Sequence, residues 1–235
     1  MEDKLPNETM AVPLHLSGPE YELYKRNLST YSSIVVGPGL GLRPDGKQLI
    51  EELLMNYAGP LVIDADALNL IAEHKLFEHL MRRKHATVLT PHPGEMARLL
   101  GIPKDQVRDD PAKAVMQAVK MTHATVLLKG AATLIGSTED VLYLNHYPND
   151  GMATAGSGDV LAGMIGGLLG QKVDPFQGTL LGVYLHSLAG DLAAQTFGHR
   201  SMTAPDIIEN ISHAFKDIKA APEPSVPVEG RARLR

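Results

Sequence analysis

Short runs of aliphatic and β-branched residues alternate with longer amphipathic stretches along most of this chain of 235 residues. The runs predict four buried parallel strands, at 33–36, 61–63, 87–89 and 125–128. The stretches between them repeat apolar residues every three or four positions and predict helices at 46–56, 67–80, 94–100 and 111–121. Strands that alternate with helices form a parallel sheet covered by helices.

The pattern changes after the fourth strand. Two further runs, at 133–135 and 141–144, are joined by five residues and predict a hairpin at an antiparallel edge of the sheet. Three more helices are predicted, at 159–169, 175–197 and 203–219.

Both ends of the chain lack this periodicity. Residues 1–30 contain three prolines, and we expect an irregular lead-in there. Residues 221–235 carry three prolines and three arginines, a composition typical of a disordered tail. The sequence therefore predicts one domain at 31–220.

The composition excludes several kinds of site. A net charge of −5 argues against the broad basic surface that nucleic-acid binders usually show. It contains no cysteine, which excludes disulfides, a thiolate nucleophile and Cys-ligated zinc, and we expect a cytoplasmic protein. No apolar run approaches the ~18–20 residues that span a bilayer, so no membrane partner is expected.

Each predicted parallel strand runs directly into a polar or Gly-rich turn. In open α/β sheets, ligands bind beyond the carboxyl ends of the strands, so these turns are expected to share one rim. The four turns read GPGLG at 37–41, DAD at 64–66, TPHPGE at 90–95 and KGAAT at 129–133.

A loop of small residues, GMATAGSGD at 151–159, feeds an apolar helix. Its backbone N–H groups can converge on an anion, with the helix dipole behind them. Asp159 is then either a general base or an ordinary acidic residue in the first turn of a helix. The glycines at 151, 156 and 158 favour a ligand, because they let it approach the backbone, whereas a simple cap needs none of them.

Other polar residues on the rim have two interpretations each. Lys129 either neutralises phosphate or is a solvated lysine at a strand end, and His92 either contacts a ligand or is an ordinary surface histidine. Glu95 either acts on Mg²⁺ or favours the first turn of its helix. Asp64 and Asp66 are more often turn residues than metal ligands. The ten histidines lack the spacing of a zinc site.

Taken together, the motifs GPG at 37–39, DADALN at 64–69, TPHPGE at 90–95, LKG at 128–130 and GSGD at 156–159 resemble the NAD(P)H-hydrate dehydratase family. The resemblance spans roughly residues 5–211. The Gly-x-Gly-Asp element alone indicates only the wider ribokinase-like group. Many ribokinase-like kinases have Asn-x-x-Glu where this chain has His92 and Glu95, and the histidine favours the dehydratase.

The resemblance implies a ribokinase-like three-layer α/β/α sandwich with a mostly parallel central sheet. It implies a lyase that restores hydrated NADH or NADPH by dehydration coupled to ADP cleavage, giving AMP and phosphate, with Mg²⁺ as cofactor. The ring hydroxyl would be phosphorylated and then eliminated. The implied site residues are Asp159 as the catalytic group contacting substrate, Gly39 and His92 in the substrate pocket, Lys129, Gly130, Ala131, Ala132, Thr133, Gly156 and Gly158 at the nucleotide, and Glu95 at Mg²⁺.

Two features of the chain depart from the family pattern. Members begin with an additional Lys-Gly-x-x-Gly loop, an Ala-rich helix and a further strand, which nothing before Leu5 supplies. We therefore expect part of the substrate pocket to be missing, and a homo-oligomer that covers the open edge of the sheet. In addition, Ala155 stands where members often have glycine, which preserves the anion site unless that position needs a positive φ.

Two other functions compete with the dehydratase. One is a kinase for a hydroxymethylpyrimidine-type alcohol on the same fold, against which His92 speaks. The other is a truncated, non-catalytic nucleotide-binding protein. The sequence does not distinguish ADP from ATP as the co-substrate, or hydrated NADH from hydrated NADPH as the substrate.

Overall fold

A computed structural model of the chain describes Thr9 and residues 18–220. In this part of the chain, one sheet contains the strands in sequence order: β1 (Ile34–Val36), β2 (Leu61–Ile63), β3 (Thr87–Leu89), β4 (Thr125–Leu128), β5 (Thr133–Gly136) and β6 (Leu142–Asn145). Strands β1 to β4 are parallel, and β5 runs antiparallel to both β4 and β6. The predicted parallel sheet and its antiparallel edge hairpin are therefore confirmed.

Helices cover both faces of this sheet. They are α1 (Gly18–Asn27), α2 (Pro44–Asn56), α3 (Ala65–His74), α4 (Phe77–Arg82), α5 (Pro93–Leu100), α6 (Lys104–Asp109), α7 (Pro111–Thr122), α8 (Ser157–Gly170), α9 (Pro175–Phe197) and α10 (Ala204–Ala220). Short 3₁₀ turns occur at Leu28–Thr30 and Asp150–Met152. None of the described helices has the length and apolar character needed to cross a membrane.

Alternate residues of each strand belong to different layers, because successive side chains point to opposite faces of a sheet. In β2, Leu61 and Ile63 pack into the core formed with α2 to α7. Val62, between them, packs with residues of α8 and α9. Helix α10 lies against α9 and α8. The predicted three-layer α/β/α sandwich is therefore confirmed.

Helix α6 is absent from the predicted elements, and two other regions differ from them. Residues 18–27 of the expected irregular lead-in form α1, because Pro19 falls in the first turn, where proline removes no helical hydrogen bond. The helix predicted at 67–80 is divided into α3 and α4 by Lys75, whose φ of 55° is left-handed and ends α3. The sequence has no glycine or proline at this break that would have predicted it. The tail predicted to be disordered, 221–235, lies outside the described residues.

Arg83 ties the far end of the sheet, opposite the strand-end turns, to helix α2. Its guanidinium donates to the carbonyl oxygens of Leu53 at 3.1 Å, of Tyr57 at 2.6 Å and of Gly59, and its Nε donates to Thr87 Oγ1 at 3.0 Å. Burial lowers the pKa of Arg83 to about 10. The carbonyls of Tyr57 and Gly59 lie just beyond the end of α2, whereas Leu53 O also accepts from Tyr57 N at 3.2 Å.

We predict that Arg83→Lys destabilises the protein by roughly 2 kcal/mol, because an ammonium cannot reproduce the planar fork of four bonds. Urea unfolding followed by far-UV circular dichroism measures the change. The control is Arg82→Lys, since Arg82 is exposed and its guanidinium bonds the equally exposed carboxylate of Glu78. Equal stability of the two variants would show that the Arg83 bonds contribute little.

Candidate active site

The turns after β1 to β4 lie along one rim, as the sequence predicts. Val36 is paired in register with Ile63, Ile63 with Leu89, and Leu89 with Val126. Beyond the strand ends, backbone bonds join each turn to its neighbour. Asp64 N donates to Val36 O at 3.0 Å, Thr90 N to Ile63 O at 3.1 Å, and Lys129 N to Pro91 O at 2.9 Å.

The turn after β1 depends on its glycines. Gly37, Gly39 and Gly41 all have positive φ, at 128°, 66° and 77°. A Cβ on Gly37 would overlap the carbonyl oxygen of Asp64. Gly41 N donates to the carboxylate of Asp66 at 2.8 Å, so this second aspartate of the DAD motif holds the glycine turn in place.

Asp64 has a different partner. Its Oδ1 lies 2.7 Å from Lys129 Nζ, and the Asp64 side chain is 1% exposed. The ion pair joins the ends of β2 and β4 across β3. Within the described residues, no group of three or more His, Asp or Glu side chains is arranged to hold a metal ion.

His92 and Glu95 form a capping box at the start of α5. His92 Nδ1 accepts from the backbone N–H groups of Gly94 at 2.9 Å and Glu95 at 3.3 Å, and the Glu95 carboxylate accepts from His92 N at 2.8 Å. A ring nitrogen that accepts is unprotonated. Burial lowers the pKa of His92 and thus favours the same neutral ring, against the opposing effect of Glu95.

The Gly-rich loop leads into α8 as predicted. Gly156, at the N-cap, has a φ of 86°, whereas Ala155 has no positive φ, so the alanine is compatible with this turn. Ser157 N donates to Thr154 O at 3.3 Å, and Gly156 has no side chain that could accept from the next N–H groups, which leaves those of Gly158 and Asp159 available to an anion. Asp159 is exposed and lies in this first turn.

Lys129 also reaches this helix start. A Cβ added to Gly158 would lie 3.3 Å from Lys129 Nζ, so the ammonium is held against the first turn of α8. The positive end of the helix dipole and the lysine charge thus converge on one place. This arrangement can bind an anion, and phosphate in particular.

A cavity of about 700 Å³ opens beside this anion site. Of the predicted nucleotide residues, Lys129, Gly130, Ala131, Thr133 and Gly158 line it. Ala132 and Gly156, the other two predicted nucleotide residues, do not line the cavity. The remaining predicted site residues, Gly39, His92, Glu95 and Asp159, do not line it either.

Sequence reasoning missed a polar wall of the cavity. This wall includes Asn145 at the end of β6 and His186 and Ser187 in the middle of α9. Asn145 Nδ2 donates to Ser187 Oγ at 3.0 Å, and His186 Nε2 lies 3.4 Å from Ser157 Oγ. The sequence signal that could have indicated this wall is a pair of polar residues among the apolar residues of α9.

His186 makes the free energy of unfolding depend on pH. Burial lowers its pKa to about 4, from 6.5. The folded protein thus disfavours protonation, so stability that is present above pH 6.5 is lost as the pH falls towards 4.

We predict that the unfolding free energy of the wild type falls by up to roughly 3 kcal/mol over this range because of His186. In His186→Gln this part of the decrease is absent, and urea titrations at several pH values measure the difference. His74→Gln, at an exposed helix end, is the control and keeps the wild-type slope. A steep slope in His186→Gln would assign the effect to other groups.

The chain matches known proteins over most of its length. The Carb_kinase family model, described as NAD(P)H-hydrate dehydratase, matches residues 4–213. The bifunctional NAD(P)H-hydrate repair enzyme Nnr of Moorella thermoacetica is 41% identical over 193 residues, which are 82% of this chain and 36% of that protein. The ADP-dependent (S)-NAD(P)H-hydrate dehydratase of Neisseria meningitidis is 42% identical over 165 residues, which are 70% of this chain and 56% of that protein.

A solved structure shares the fold. The ADP/ATP-dependent NAD(P)H-hydrate dehydratase of Bacillus subtilis, co-crystallised with ATP and Mg²⁺, superposes with a TM-score of 0.70 at 28% identity, over 80% of this chain and 65% of that one. The chain spans less than two thirds of each of these three relatives. The family match covers far more than half of the chain and agrees with the motifs on the rim, so the chain belongs to the NAD(P)H-hydrate dehydratase family.

Proposed function

We propose that this chain binds ADP in the cavity beside α8 and uses it to dehydrate hydrated NADH or NADPH, releasing the reduced cofactor, AMP and phosphate. One observation carries the proposal: the Lys129 ammonium lies against the first turn of α8, in the wall of a cavity, in a chain of this family. A cavity of about 700 Å³ is within the range of roughly 300–1,000 Å³ of small-molecule sites.

The nucleotide half of the site is formed by two segments. Residues 129–133, at the end of β4, and the turn at 156–158, at the start of α8, supply an ammonium, glycine backbone and helix N–H groups to the phosphates. The polar wall formed by Asn145, His186 and Ser187 then faces the remainder of the nucleotide. These contacts concentrate positive potential locally, so they suit a phosphate ligand in a chain with a net charge of −5.

The substrate half consists of Gly39, His92 and Asp159. Gly39 and His92 are exposed on the rim, and Asp159 is exposed in the first turn of α8. The neutral His92 ring is held rigidly by its capping bonds, and therefore presents a fixed surface to the hydrated nicotinamide. Asp159 accepts a proton from the substrate hydroxyl.

The reaction balances as phosphoryl transfer followed by elimination. The ring hydroxyl oxygen forms a bond to the β-phosphorus of ADP, the bond from that phosphorus to the bridging oxygen breaks, and AMP leaves. The hydroxyl proton passes to Asp159. The C–O bond then breaks, phosphate departs with the oxygen and the bonding electrons, and the neighbouring ring carbon loses a proton to water as the C=C bond is restored.

Mg²⁺ would be held in this site mainly by the phosphate oxygens of the nucleotide. Glu95 is 5% exposed and both of its carboxylate oxygens already face His92, so it acts on the ion through water and not as a direct ligand. When bound, the ion neutralises phosphate charge.

The direct test incubates the purified protein with hydrated NADPH, ADP and Mg²⁺. We expect reduced-nicotinamide absorbance to return with stoichiometric formation of AMP, and Asp159→Asn to lower the rate at least about a hundredfold while ADP still binds. ADP binding without turnover would favour a binding protein. ATP-dependent phosphorylation of a pyrimidine alcohol would favour a kinase.

A second test addresses the anion site alone. Gly158→Ala adds a methyl group 3.3 Å from Lys129 Nζ, where phosphate must approach. We expect ADP affinity to fall at least about tenfold, measured by calorimetry, because the methyl group and the displaced ammonium both hinder the phosphate.

The matched control for this test is Gly163→Ala in the same helix. A Cβ at Gly163 meets nothing within 4 Å, so ADP affinity should stay at the wild-type value. Equal ADP affinity in both variants would place the phosphates elsewhere.

A further inference from the structure

We infer that Asp64 is a positioning residue: its buried carboxylate holds the Lys129 ammonium at the first turn of α8 before the nucleotide arrives. The inference deepens the proposed function and rests on it, because Lys129 is the proposed phosphate contact. It assigns a task to the first aspartate of the DAD motif, which follows β2 and belongs to neither half of the proposed site.

The first observation is that Asp64 does not perform the usual task of its position. It occupies the N-cap of α3, where an aspartate ordinarily accepts from the N–H groups of the first turn. Its side chain makes no such bond. Oδ1 instead lies 2.7 Å from Lys129 Nζ, across a sequence separation of 65 residues. The carboxylate is therefore directed away from its own helix and towards the candidate site.

The backbone around Asp64 is adapted to this direction. Ala65, the next residue, has a φ of 49°, in the left-handed region that non-glycine residues rarely adopt. On the other side, the Asp64 carbonyl oxygen fills the space that a side chain on residue 37 would need, which only Gly37 allows. The N-cap side chain that makes no capping bond and the strained residue thus lie next to each other, where the carboxylate turns towards Lys129. Backbone strain of this kind concentrates at functional sites.

Burial makes the pairing effective. The Asp64 side chain is 1% exposed and that of Lys129 is 21% exposed, so the carboxylate is enclosed while the ammonium remains accessible from the cavity. A free lysine side chain has four rotatable bonds that must be ordered when it binds phosphate. The ion pair orders them in advance, so the nucleotide meets a charge that is already in place.

The test is a double-mutant cycle on KM for ADP, with Asp64→Asn, Lys129→Met and the double variant. If Asp64 acts through Lys129, Asp64→Asn raises KM for ADP about tenfold. It leaves KM for the hydrated cofactor unchanged, and has no further effect in the Lys129→Met background. Equal losses in both backgrounds, equal shifts of both KM values, or an unchanged KM for ADP would overturn the inference.

A purely structural ion pair is distinguished by Leu80→Ala. Leu80 is buried in the core from α4, so this variant leaves a space in the core while the cavity lining stays intact. It should lower the urea midpoint and leave KM for ADP at the wild-type value. A rise in KM for ADP in Leu80→Ala as large as that in Asp64→Asn would also overturn the inference.

Two measurements keep the inference testable if a variant folds poorly or if turnover is absent. Asp64→Glu retains the charge but displaces it by one methylene, so we expect a smaller rise in KM for ADP than in Asp64→Asn. ADP dissociation constants repeat the cycle without catalysis. Coupled losses of affinity in a protein with no turnover would support Asp64 and contradict the dehydratase, whereas a wild type that does not bind ADP would overturn both.

Discussion

The parallel register of four short strands is the constraint on which the candidate site depends. Strands β1 to β3 contain three residues each and β4 contains four. Because the strands are so short, the turns that follow them lie close to the core. Backbone bonds from Asp64 to Val36 and from Lys129 to Pro91 extend the alignment beyond the strands. The rim is consequently a continuation of the sheet.

This rigidity explains how an acidic chain can hold an anion. A single ammonium on a flexible side chain is a weak phosphate site in water, because salt screens it and its rotamers must be ordered. Here Lys129 is fixed between the buried carboxylate of Asp64 and the start of α8. The helix contributes N–H groups and the positive end of its dipole to the same place. The local field can therefore be positive while the net charge is −5.

Much of this organisation is predictable from the sequence, for a specific reason. Hydrophobic periodicity locates the strands and most of the helices, and strand ends locate the rim, because parallel strands present all their carboxyl ends on one side. Local patterns cannot supply partners that are distant in sequence. The pairing of Asp64 with Lys129 and the contact of His186 with Ser157 depend on which strands and helices become neighbours. The end of α3 at Lys75 depends on a backbone conformation for which lysine carries no signal.

The positions of the two halves constrain how two substrates could meet. The cavity lining includes Gly158 but not Asp159, the next residue of α8, which faces solvent on the same turn. An ADP phosphate that enters from the cavity and a hydroxyl that approaches Asp159 from outside would therefore reach the first turn of α8 from different directions. Displacement at phosphorus places the incoming and leaving oxygens roughly in line, on opposite sides of the phosphoryl group. The first turn of α8 is thus suited to stand between a nucleotide and an alcohol, as the proposed phosphoryl transfer requires.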